Sequence, residues 1–67
     1  MDIEKIAILI SWCIEEYAAQ ENKSSKDTVN LFKDKNVLSF LQEHYDVLHT
    51  RSKEYIFGTI DDVLRYK

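Results

Sequence analysis

The chain has 67 residues, 45% of them hydrophobic, with one glycine and no proline, and its 12 acidic against 9 basic side chains leave a formal charge of −3. One small domain spanning 1–67 is all that such a length supports, and the scarcity of helix breakers excludes a disordered linker and points to helices. An acidic balance has no surplus of cations to displace counterions from a phosphate backbone, so nucleic acid is a poor default partner.

Cys13 stands alone and cannot form an intrachain disulfide. A domain this small outside the cell usually needs such staples, so the expected compartment is a reducing cytoplasm. Residues Ile6 to Ile14 are apolar except for Ser11, yet the run is too short to span a bilayer and is flanked by Asp2, Glu4, Glu15 and Glu16. No basic start or small-residue cleavage site marks a signal peptide, and no membrane association is expected.

Taken in chain order, a first helix is expected from a cap at Asp2 to about Gln20, because apolar residues at 3, 6, 10, 13, 14 and 17 share one face. The polar run Glu21-Asn22-Lys23-Ser24 ends it. Ser24 or Ser25 then caps a second helix, with Asp27 at capping-box spacing from Ser24 and with Val29, Leu31 and Phe32 facing inward, until Lys33-Asp34-Lys35-Asn36 closes it. A third helix from Val37 to about Tyr45 aligns Val37, Leu41, His44 and Leu48, which places His44 partly in the core with one ring nitrogen hydrogen-bonded. The last segment fits a helix over Lys53–Tyr66 interrupted at Gly58, and Thr59 with Asp62 also reads as a helix start. Its alternative is a hairpin of Asp46–Thr50 against Glu54–Phe57. The expected fold class is all-α, a small bundle of about four short helices, with a short C-terminal hairpin as the variant.

Few side chains suggest chemistry. His44 and His49 are five apart, on different sides of a continuous helix, and no zinc spacing appears. Cys13 lies on the expected buried face, where a thiol is a small hydrophobe rather than a nucleophile. One glycine cannot build a phosphate loop, and the carboxylates at Glu15, Glu16, Asp61 and Asp62 read as solvated faces. No catalytic residue, metal site or cofactor is expected, and the chain reads as no enzyme. A helix-turn-helix regulator is the alternative class, because the second and third helices are short and joined by a tight turn. Against it, the exposed side of the third helix offers Ser39, Gln42, Glu43 and Asp46 where a reader of bases needs basic or amide groups.

Two surface features remain. Ile8 and Trp12, four residues apart, lie on the charged side of the first helix, opposite the broad apolar face of Ile3, Ile6, Leu9, Ile10, Cys13, Ile14 and Tyr17. Either the C-terminal segment folds over them or they form a protein contact, with self or with another chain. The stretch His49-Thr50-Arg51-Ser52-Lys53 is either a polar connection or a cationic seat for a phosphate or carboxylate. Candidate interaction residues are therefore Ile8, Trp12, His49, Thr50 and Arg51.

The runs Cys13-Ile14-Glu15-Glu16-Tyr17, Val29-Asn30-Leu31-Phe32 and Tyr45-Asp46-Val47-Leu48-His49-Thr50, followed by Tyr55-Ile56 and Ile60-Asp61, resemble a family of short bacterial proteins known as a domain of unknown function. Tyr-Asp-x-Leu-His-Thr is the most specific of them. Members of that family look like companions of predicted ADP-ribosyltransferase-type toxins, beside which they are often encoded. The resemblance thus implies an antitoxin-like or accessory role, without assigning catalytic residues. The sequence departs from the family's pattern at Arg51-Ser52 and Gly58-Thr59.

Overall fold

A computed structural model describes residues 3–66, with the side chains of 3–65. Five helices follow one another: α1 (Ile3–Gln20), α2 (Ser25–Asp34), α3 (Val37–Glu43), α4 (Tyr45–Leu48) and α5 (Lys53–Tyr66). Among the described residues there is no strand, so the all-α class holds and the C-terminal hairpin does not form. Residues 46–48 belong to α4 and 54–57 to the first half of α5. The expected cap at Asp2 lies outside the described residues.

Local chemistry sets each boundary. After Gln20 the chain turns through Asn22 in the left-handed region (φ 58°), and the Lys23 amide donates to the Ala18 carbonyl at 2.8 Å, which satisfies the end of α1. Ser24 is extended and its Oγ accepts from the Asp27 amide at 3.0 Å, so the expected cap of α2 is present. Asn36, again left-handed at φ 61°, swings the chain from α2 into α3 within two residues. Ser52 accepts the Tyr55 amide at 3.2 Å and caps α5.

Two expectations are corrected along the second half. His44 is exposed: α3 stops at Glu43 and α4 starts at Tyr45, so His44 sits at the break and its ring lies against Phe40 at 4.4 Å. Val37, Leu41 and Leu48 keep their buried places on either side of it. Gly58 interrupts nothing, and Thr59 starts no helix. Its hydroxyl donates to the Tyr55 carbonyl at 2.9 Å within a continuous α5.

The core gathers Cys13 and Tyr17 from α1, Phe32 from α2, Val37 and Leu41 from α3, Leu48 from α4, and Ile56, Phe57 and Ile60 from α5. On α2, Phe32 and Thr28 are buried while Val29 and Leu31 are half-buried. The Thr28 hydroxyl donates back to the Ser24 carbonyl at 2.9 Å, which makes its burial tolerable. At 18 residues α1 is longer than any helix packed on it, and Ile3, expected on the buried face, remains 80% exposed in its first turn.

Two substitutions test this account in urea titrations. Ser24→Ala removes the cap of α2 and should lower stability by about 1 kcal/mol. An added Cβ at Gly58 meets nothing within 4 Å, so Gly58→Ala should raise stability by roughly 0.5–1 kcal/mol through helix propensity alone.

Candidate functional site

The wheel of α1 turns its broad apolar face inward, and the opposite side carries Ile8 and Trp12 as expected. The structure divides their fates. Phe57 of α5 reaches one side of the Trp12 indole, ring centres 5.7 Å apart, and leaves Trp12 37% exposed, whereas nothing covers Ile8, which is 68% exposed. The C-terminal segment therefore folds over half of the pair only. Lys53 explains where it stops, since its ammonium is held at 3.1 Å by Glu16 and lies 5.5 Å from the Phe57 ring centre, which fixes the start of α5 beside Trp12.

Between α1 and α4 runs a shallow groove of about 380 Å³ lined by Lys5, Ile8, Leu9, Trp12, Tyr45 and His49. Three of the five candidate residues thus meet in one place. Tyr45, the first residue of α4, and His49, just past its end, stack with ring centres 4.7 Å apart and planes inclined by 11°, giving the groove an aromatic wall. Tyr45 joins the site without being marked by the sequence, except through its four-residue spacing to His49.

Thr50 and Arg51 do not join them. The Thr50 hydroxyl donates to the Val47 carbonyl at 2.7 Å, and the Arg51 guanidinium lies over Tyr55 at 5.4 Å. With Ser52 capping α5 and Lys53 paired to Glu16, each side chain of this connection has a structural task, which favours the connecting role over an anion seat.

A second, larger groove of about 570 Å³ opens between α3 and α5, with Phe40 and Val63 offering apolar surface and Ser39, Glu43, Thr59 and Asp62 polar surface. Its residues come from separate elements whose facing sides only the packed fold brings together.

Inside, the titratable groups are held neutral. Cys13 is fully buried, and burial pushes its thiol up to about 11, far from the thiolate a nucleophile requires. Tyr17 is raised as well, first by burial and then by the Asp61 carboxylate that accepts its hydroxyl at 2.9 Å. Among the described residues no group of three His, Cys, Asp or Glu side chains is gathered to hold a metal ion, and no helix is long and apolar enough to cross a membrane. Residues 9–67 match the model of a family described as protein of unknown function (DUF3791). No curated protein and no solved structure matches the chain.

Two outcomes follow for Cys13 and Tyr17. Native protein should react with a thiol reagent far more slowly than free cysteine, and comparable rates would contradict the burial of Cys13. Both acids ionise more readily in the unfolded chain, so the stability Cys13 contributes is full below its ordinary value of 9.0 and is lost as pH rises through about 11, while that of Tyr17 begins to fall only above its ordinary value of 10.0. Thermal melts between pH 8 and 11 should show this decline, steeper than in a Cys13→Ala, Tyr17→Phe double variant.

Proposed function

We propose that this chain, which belongs to the DUF3791 family of proteins of unknown function, is a non-enzymatic protein-interaction module. The observation that carries the reading is the pairing of an uncovered Ile8 with a half-covered Trp12 in the midst of a charged helix face, beside the aromatic wall of Tyr45 and His49. A large aliphatic side chain next to an anchored indole is the composition of an interaction hot spot, because each can be desolvated by a partner without ordering a long flexible side chain.

An antitoxin-like or accessory role toward a toxin-type enzyme, implied by the resemblance of the Tyr45–Thr50 run, fits a small domain whose titratable core groups are locked in the neutral state. The buried unpaired thiol of Cys13 suits a reducing cytoplasm. A DNA-binding role draws less support, since α3, the candidate reading helix, carries no lysine or arginine and borders a groove with Glu43 and Asp62 on it.

The test compares wild type with Ile8→Glu, a helix-compatible change at an exposed position. Wild type should retain a host protein, the product of the adjacent gene being the first candidate. The variant should lose it with an unchanged circular dichroism spectrum. Binding to duplex DNA that weakens as salt rises and ignores Ile8→Glu would replace this reading with the regulator.

A further inference from the structure

The order of charges along the exposed face of α1 identifies an occupant for it, an inference that rests on the interaction reading above. Lys5, Ile8, Trp12 and Glu15 follow at spacings of three, four and three, which keeps them on one side of a helix, and all four are exposed. The stripe is cationic toward the N-terminus, apolar in the middle and anionic toward the C-terminus. Such an order is complementary to itself when reversed.

We infer that this stripe pairs antiparallel with the same stripe of a second copy of the chain, across a twofold axis at the level of Ile10. Ile8 and Trp12 each stand two residues from Ile10, and Lys5 and Glu15 each stand five from it. An antiparallel twofold pairing therefore sets Ile8 against Trp12 of the partner subunit and Lys5 against Glu15 of the partner subunit, each contact made twice. The charges also select direction, because a parallel pairing would put Lys5 against Lys5 of the partner subunit and Glu15 against Glu15 of the partner subunit.

The neighbouring acid takes no part. Glu16 is bound to Lys53 at 3.1 Å, which turns it toward α5. Glu15 accepts the Ser25 hydroxyl at 2.6 Å through one oxygen, and a carboxylate so engaged is oriented while keeping acceptor capacity for an ammonium. Phe57 packs against the Trp12 ring, so the part of the indole that stays exposed is presented already held, and in the pair the uncovered Ile8 of the second copy is the side chain that meets it. The α3/α5 groove shares no lining residue with this stripe.

Sedimentation velocity of the whole chain over about 1 µM to 1 mM, the range in which a small interface of this kind associates, measures the pairing. Wild type should pass from monomer to dimer, and Ile8→Glu should weaken the dimer by at least about tenfold, in line with loss of a central apolar contact. Lys5→Glu and Glu15→Lys should each weaken it, and the double swap Lys5→Glu, Glu15→Lys should return it to within about threefold of wild type, since the charge pair is then re-formed in reverse. Circular dichroism at the lowest concentration confirms that each variant is folded. A wild type that is monomeric throughout overturns the self-pairing and leaves the interaction reading standing with a foreign partner. A dimer indifferent to Ile8→Glu and to the charge swap also overturns it, because the copies then meet elsewhere.

Discussion

Tyr17 is the side chain on which the rest of the arrangement depends. Its ring lies 5.4 Å from Phe32 of α2 and 5.7 Å from Phe57 of α5, both in tilted or edge-on contact, while its hydroxyl reaches Asp61 one turn further along α5. One residue of α1 thus sets the position of two other helices, and the carboxylate takes up the hydrogen bond that a buried phenol demands. Because these contacts fall in the C-terminal half of α1, the two partners crowd that end. The N-terminal half is left with Ile3 and Ile8 in solvent, and the exposed stripe follows from where the core is anchored.

Much of this was legible from residue order. The cap at Ser24 with Asp27, the end of α1 in Glu21-Asn22-Lys23-Ser24 and the division of α1 into a broad buried face and an Ile8–Trp12 side are all local, written in spacings of three and four residues. His44 shows where such reading fails. Its spacing from Leu41 suits a buried position only if the helix continues, and the helix breaks after Glu43, which leaves His44 at the junction against Phe40 while Leu41 and Leu48 still reach the core. The hairpin alternative failed for a similar reason, since Tyr55-Ile56-Phe57 has strand-like composition, but Ile56, Phe57 and Ile60 fill a core only when they lie on one helical face.

The site was readable to the same depth. Ile8 and Trp12 announce themselves on a helical wheel, and His49 reaches the same groove because α4 crosses beside Leu9. Thr50 and Arg51 looked equivalent to His49 by composition and proximity. What separates them is backbone direction after Leu48, which spends Thr50 on a carbonyl and lays Arg51 on Tyr55. The α3/α5 groove had no sequence signature at all, because its residues acquire a common address only once both helices are packed.

The half-covered state of Trp12 gives the molecule an optical property of its own. It is the chain's single tryptophan, so ultraviolet emission excited at the red edge comes from one indole that packs against Phe57 and is only in part open to water. Detachment of α5 would move that emission toward the red and arrival of a neighbour toward the blue. The same ring therefore reports, without any label, both the integrity of the helix packing and the occupancy of the surface beside it.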